Sequence, residues 1–219
     1  MTEFIKIAAF DVCGTIYKSN TTFDFLKYYF QDNEKYTIFS RLINTLPVIL
    51  INKAFTFLFK KDLVRLFATY FLKGERLPKV EAAAKDFVTR HLKGSFIMPT
   101  VTLLKKYKYK GYWILLISGS YDFVVKYVAE EVDADDYFAS VLSEKNGIMK
   151  GTYEEDLLNN KKKFIFSKYK DVQELVFVTD NKGDLNLIKL ADTAYIVAPQ
   201  KKIGFWIKQG IPEENLIII

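Results

Sequence analysis

Ile5 to Ile16, IKIAAFDVCGTI, is an apolar run that stops at Asp11 and then turns through Cys13-Gly14-Thr15. A continuous hydrophobic run of this length reads as a buried parallel strand. From Tyr17 to about Phe96 the pattern changes. FDFLKYYF, YTIFSRLINTLPVILI, KAFTFLFKKDLVRLFATYFL and LPKVEAAAKDFVTRHL carry apolar residues at three- and four-residue spacing, with Asn, Asp, Gly and Pro breaks between them. That spacing predicts a small helical bundle. Strand and helix alternate again from Thr100: TVTLLKKYKYKG helix, YWILLISG strand, SYDFVVKYVAEEV helix, KKKFIFSKY helix, ELVFVTD strand, GDLNLIKLA helix, TAYIVAP strand, with KIGFWIKQG and NLIII closing the set. FASVLSEKNGIMKGTY, with Asn146-Gly147 at its centre, predicts a β-hairpin.

This order predicts an α/β fold, a Rossmann-like parallel sheet covered on both faces, with an all-helical insertion. The core takes residues 1–17 and 97–219 and the insertion residues 18–96. Because the insertion follows the first strand directly, it is expected to sit over the C-terminal edge of the sheet as a lid.

At 219 residues, half of them apolar, the chain can bury a full core. Runs such as Leu46 to Ile51 fall short of the ~20 apolar residues a membrane span needs, so no helix is expected to cross a bilayer. MTEFIKIAAFD has an acidic residue early and another where a signal peptide would stay apolar, so no export signal is read. One cysteine excludes an internal disulfide framework and makes the cytoplasm the default. The net charge of +6 is concentrated: Lys18 to Lys93 carries +7 and the rest −1. A basic surface attracts anions of any kind, whether phosphorylated substrates, nucleic acid or acidic lipid. A solvated face is the plainer reading.

Chemistry gathers at strand ends, where open α/β sheets place their ligands. Asp11 ends the first strand. Ser118-Gly119-Ser120 ends the second where a helix begins, a natural cradle for phosphate oxygens. Asp180 ends ELVFVTD and Asp184 follows four residues on. With Asp11 these acids form a hard-oxygen cluster suited to Mg2+.

These residues resemble the haloacid dehalogenase-like hydrolases, whose first motif is an apolar strand followed by Asp-x-Asp-x-Thr. Here it reads Asp11-Val12-Cys13-Gly14-Thr15. Ser118 matches the second motif, Asp180 and Asp184 the fourth, and the helical insertion is similar to the cap of the phosphoserine-phosphatase branch. The resemblance implies Asp11, Cys13, Ser118 and a lysine as catalytic residues. It implies Thr15, Ser118, Gly119 and that lysine around the phosphate, and Asp11, Cys13 (through its backbone carbonyl), Asp180 and Asp184 around Mg2+. The lysine belongs at a helix start, where Lys161, Lys162 and Lys163 stand. Apolar residues three, four and seven places on should share its inward phase, which favours Lys162 through Ile165, Phe166 and Tyr169.

The implied activity is a Mg2+-dependent phosphatase working through an aspartyl phosphate on Asp11 and acting on a small phosphorylated substrate. Position 13 normally holds the acid that protonates the leaving oxygen and later activates water. A thiol, with a pKa near ~8.5, is a much poorer acid than Asp at ~3.9. Slow turnover of alkyl phosphates is expected. A dehalogenase, a phosphonate hydrolase with a cap lysine, and a weakened phosphate-binding protein are the alternatives. Asn20, Thr22 and Asp24 stand near enough to line a pocket, and Arg41, Arg65, Arg76 and Arg90 are candidate anion contacts. The apolar cap helices with basic flanks are similar to those of family members acting on phospholipids at a membrane surface, which would place the chain at the inner face of a membrane. Buried bundle packing is the simpler expectation. Nucleic acid is not expected as a partner, the oligomeric state is left open, and His91 is read as structural.

Overall fold

The computed structural model describes residues 5–158 and 160–219. Residues 1–4, counted above with the core and in the reading of the N-terminus, lie outside the described residues. The order opens with β1 (Ile5–Phe10), α1 (Thr21–Tyr29), α2 (Glu34–Leu42), α3 (Leu46–Phe59), α4 (Leu63–Tyr70), α5 (Leu77–Asp86), a π turn at Phe87–His91, α6 (Met98–Tyr109) and β2 (Trp113–Tyr121). It continues with α7 (Asp122–Val132), β3 (Asp136–Lys145), β4 (Ile148–Glu155), α8 (Lys161–Lys168), β5 (Val172–Thr179), α9 (Leu185–Ile188), β6 (Thr193–Ala198), α10 (Ile203–Lys208) and β7 (Leu216–Ile218).

The seven strands form one sheet in the order β4-β3-β2-β1-β5-β6-β7. All neighbours are parallel except β3 and β4, joined as the hairpin expected at Asn146-Gly147. Both turn residues have positive φ, 55° and 74°, as a tight primed turn requires. Alternate residues of β1 enter opposite cores: Ala8 and Phe10 join the cluster containing α6, α7 and the inserted helices, and Ile7 and Ala9 join the one under α8, α9 and α10. Ile7 to Phe10, buried on both faces, are apolar without alternation, while Lys6 at the exposed start of β1 pairs with Glu174.

Register places the chemistry. Phe10 pairs with Leu116 of β2 and Val178 of β5. Asp11 is the next residue along β1, while Ser118 and Asp180 stand two residues beyond those partners. The three ends therefore meet at the place where connections leave β1 to opposite sides.

Two expectations about the inserted helices fail. Asn52, read as a break, lies inside α3; its side chain turns inward, accepting the Val64 N–H at 3.1 Å and donating to Asp62 at 3.0 Å, and so fastens the next helix. Bundle packing also does not extend to α3, which has no buried residue. Phe25, Leu26, Ala68, Leu72, Val80 and Ala84 do pack, continuous with the core on that face of the sheet. GDLNLIKLA, expected as a helix, is a 3₁₀ turn at Lys182–Asp184 followed by the single turn of α9. No single helix is long and apolar enough to cross a membrane among the described residues.

Candidate active site

Asp11, Cys13, Ser118, Gly119, Lys161, Asp180 and Asp184 line one cavity of about 340 Å³ at the C-terminal end of the sheet. Asn20, Thr22 and Arg65 from the inserted segment complete its wall.

Asp11 is buried, and its Oδ1 accepts the Val12 N–H at 2.7 Å. Its Oδ2 accepts from Lys161 Nζ at 2.6 Å. Burial pushes the Asp11 carboxyl up, opposed by the Lys161 ammonium. Burial works against the Lys161 charge in turn, but the carboxylates of Asp11 and Asp184 outweigh it and hold the group above the ordinary lysine value. Lys161 is therefore a buried ammonium at neutral pH.

The lysine at the site is thus Lys161 and not Lys162. The buried residues of α8 are Lys161 and Ile165, an i,i+4 pair, while Phe166 is exposed. The inward phase of this short helix begins one residue earlier than the sequence reading took it, and Lys162 and Lys163 point to solvent.

Asp184 is also placed differently from the expected ligand set. Its Oδ2 accepts from Lys161 Nζ at 2.8 Å and from Thr179 Oγ1 at 2.8 Å, so it shares the lysine with Asp11. Asp180 has no lysine or arginine within ion-pair distance among the described residues. Thr15 Oγ1 donates to its Oδ1 at 3.5 Å. Asp180 as a residue is exposed, but desolvation of its carboxyl in the cavity first, and then the Asp11 charge, push that carboxyl up to about 6. Gly14, at φ +68°, makes room for it: a Cβ there would lie 2.4 Å from Asp180 Oδ2.

These residues fit a divalent cation in part. Asp11 and Asp180 offer hard oxygens, repel each other, and leave Asp180 uncompensated in a cradle that only glycine keeps open. No group of three His, Cys, Asp or Glu side chains is gathered for a metal among the described residues. Of the expected ligand set, Asp184 has its Oδ2 already taken up by Lys161 and Thr179.

The other side of the cavity is a hydroxyl cluster. Cys13 Sγ lies 2.9 Å from Thr21 Oγ1, which donates to Ser120 Oγ at 2.9 Å; Thr22 Oγ1 donates to the same oxygen at 3.2 Å. Ser118 Oγ, fully buried, accepts the Ser120 N–H at 3.2 Å. Burial, with the Asp11 charge beside it, pushes the Cys13 thiol up, so it stays protonated. Ser120 is the last residue of the Ser118-Gly119-Ser120 cradle expected from the sequence, whereas Thr21 was not singled out; the one available signal was its position beside Thr22.

Arg65, one of four arginines considered as anion contacts, is buried and already engaged. Its Nη1 donates to both oxygens of Asp156 at 2.7 and 2.9 Å, and its Nη2 to Ser140 Oγ at 3.0 Å and to the Gly119 carbonyl. It latches α4 onto the sheet side of the cavity. Arg90 pairs with Asp86 at 2.9 Å, and Arg41 is exposed. His91 lies exposed beside Tyr28, with the ring centroids 4.4 Å apart and the planes tilted by 56°.

The family profile described as haloacid dehalogenase-like hydrolase matches residues 8–189. No curated protein matches the chain. Among solved structures, a protein with unknown function from Bordetella pertussis Tohama I superposes with a TM-score of 0.77 at 14% identity, covering 98% of each chain. A phosphoserine phosphatase carrying a phospho-aspartyl intermediate analogue superposes at 0.61 with 19% identity, over 99% of this chain and 94% of that one. A HAD family hydrolase from Salmonella enterica serovar Typhi does so at 0.65 with 16% identity, over 99% of this chain and 69% of its own. At these identities the likeness is one of fold.

Proposed function

The chain belongs to the haloacid dehalogenase-like hydrolases, and we propose that it is a Mg2+-dependent phosphomonoester hydrolase whose nucleophile is Asp11. The observation that carries this reading is the Asp11 carboxylate, held at 2.6 Å by the buried Lys161 ammonium in a cavity it shares with Asp180 and Ser118.

In this reading a carboxylate oxygen of Asp11 bonds to phosphorus as the bond to the ester oxygen breaks, leaving an aspartyl phosphate and an alkoxide or phenoxide. Water then attacks the phosphorus, inorganic phosphate departs and Asp11 is regenerated. Lys161 neutralises charge on the transferring group, and Asp184 with Thr179 fixes its position. The Ser118 hydroxyl offers a donor to a phosphate oxygen, and Thr15 steadies Asp180. Bound between Asp11, Asp180 and the Cys13 carbonyl, Mg2+ would offset negative charge on the transferring phosphoryl group. Residues 18–96 act as the cap on a core formed by the described residues before 18 and after 96, so the inserted helices select a small phosphorylated substrate.

Cys13 sets the rate. A protonated thiol is a poor donor to a leaving alkoxide and cannot accept a proton from water. Aryl phosphates, whose leaving groups need no proton, are the favoured substrates, and hydrolysis of the aspartyl phosphate is the slow step. The same protonated thiol supports a second reading, a phosphate-binding protein that retains the fold but turns over negligibly. A screen of aryl phosphates and phosphorylated metabolites with Mg2+, using Asp11→Asn as the blank, decides between them. Activity above the blank supports the enzyme. No turnover together with failure to trap beryllium fluoride at Asp11 supports the binding protein.

A further inference from the structure

α3 is built inside out. Its polar residues Asn52 and Thr56 face the protein: Asn52 holds Asp62 and Val64 at the start of α4, and Thr56 Oγ1 donates to the Lys61 carbonyl at 3.2 Å. The opposite side carries Leu46, Leu50, Ile51, Phe57, Leu58 and Phe59, each 56–76% exposed. A helix whose hydrogen-bonding side chains turn inward and whose leucines and phenylalanines turn outward has a second solvent to bury them in.

The charge around this face says what that solvent is. Between Glu34 at the start of α2 and Asp62 at the start of α4 there are five basic residues, Lys35, Arg41, Lys53, Lys60 and Lys61, and no further acidic one. All five are exposed. A second copy of the chain covering the face by two-fold symmetry would bring ten like charges around one interface. An anionic lipid surface meets the apolar face with acyl chains and the basic rim with headgroups.

We propose that the outward face of α3, with the basic residues of α2 and of Lys60-Lys61, docks the protein on an anionic phospholipid membrane. The helix lies in the interface and does not cross it. Fourteen residues rise about 21 Å against the ~30 Å of hydrocarbon, and α2 and α3 are bent by 76° where they join, so they do not form one straight span. The inward anchoring of Asn52 keeps the long axis of α3 along the protein surface, as an interfacial helix requires. The groove beneath α3 is lined by Ile49, Asn52 and Lys53 and shares Phe23 and Asp62 with the cavity at Asp11, so docking sets the mouth of that cavity close to the headgroups.

Docking does not rest on the phosphatase reading, and its test leaves catalysis out. The full chain is mixed with phosphatidylcholine vesicles containing phosphatidylglycerol, and with pure phosphatidylcholine vesicles, and sedimented. The wild type and Asp11→Asn should pellet with the anionic vesicles alike, and high salt should release both. The exposed double variant Leu50→Asp/Phe57→Asp, folded by circular dichroism, should bind at least ~tenfold more weakly, as should Lys60→Glu/Lys61→Glu. In a Phe57→Trp variant, brominated acyl chains should quench the introduced tryptophan. Three results would each overturn the proposal: wild type left in the supernatant, both double variants pelleting like wild type, or a dimer in sedimentation velocity that Leu50→Asp/Phe57→Asp dissociates while vesicles leave the introduced tryptophan unquenched.

Discussion

The Lys161 ammonium bridges Asp11 Oδ2 at 2.6 Å and Asp184 Oδ2 at 2.8 Å, with all three side chains almost fully buried. Asp11 lies 150 residues away in the chain. Two buried carboxylates with one ammonium between them are a stability feature and a catalytic one at once: the lysine makes Asp11 tolerable in the interior and also points it at the cavity.

Lys161→Met should therefore cost both. Removing one partner of a buried ionic group typically destabilises by about 3 kcal/mol or more, because the remaining charges stay buried. Denaturant melts should show that loss and phosphatase turnover should fall to the level of Asp11→Asn. Lys162→Met, altering an exposed side chain, should leave both within error. Equal loss in the two variants would contradict the assignment of the lysine.

Much of this was legible in the chain. Asp11, Ser118 and Asp180 could be placed because buried parallel strands declare themselves as apolar runs and the residue ending each run is fixed by where the run stops. Lys161 could not, since α8 is only eight residues long and a three-lysine start leaves the helical phase open by one position. Asp184 was readable as a helix-start acid but not as the partner of a lysine 23 residues before it, since that contact depends on how α8 and the turn after β5 meet. The orientation of α3 was hidden for another reason: its composition is apolar almost all round, and only the inward bonds of Asn52 and Thr56 show which side faces out.

Cys13→Asp tests the chemistry at the departing position. The site that keeps the thiol protonated would also raise a carboxyl, and Thr21 Oγ1 at 2.9 Å is placed to hydrogen-bond it. Steady-state assays should show turnover rising by about a hundredfold on alkyl phosphates, and rising on aryl phosphates too, because activation of water at the slow step is restored. Equal or lower activity in the variant on both substrates would remove Cys13 from the account.

Gly14→Ala addresses the cradle around Asp180. The new methyl would lie 2.4 Å from Oδ2, at a φ of +68° that alanine resists. Strain and displacement together should destabilise by roughly 1–2 kcal/mol and raise the Mg2+ concentration needed for half-maximal turnover. Unchanged Mg2+ dependence would show that Asp180 takes no part in holding the ion.

The uncompensated Asp180 also makes a pH prediction for the metal-free protein. Its carboxyl sits at about 6 against an ordinary 3.8, so the stability tied to its protonation is fully present below about 3.8 and lost as pH rises through about 6. Asp180→Asn should recover it at pH 7.5. Discounted for the solvent reaching this exposed side chain, the gain is about 1 kcal/mol, or a rise of roughly 2–4 °C in Tm. Scanning calorimetry in chelator should show the variant melting higher at pH 7.5 with the gap closing toward pH 4, and saturating Mg2+ should stabilise the wild type more than the variant. A variant that melts lower at pH 7.5 would place Asp180 among compensating charges instead.

The most direct measurement is a rapid-quench reaction of the wild-type protein with an aryl phosphate and Mg2+, followed by mass spectrometry of the peptides. A phosphoryl adduct on the peptide containing Asp11, accumulating because its hydrolysis is slow, absent with chelator and absent in Asp11→Asn, is the predicted result. Release of the aryl alcohol with no adduct on that peptide, or an adduct that forms equally in Asp11→Asn, would contradict it.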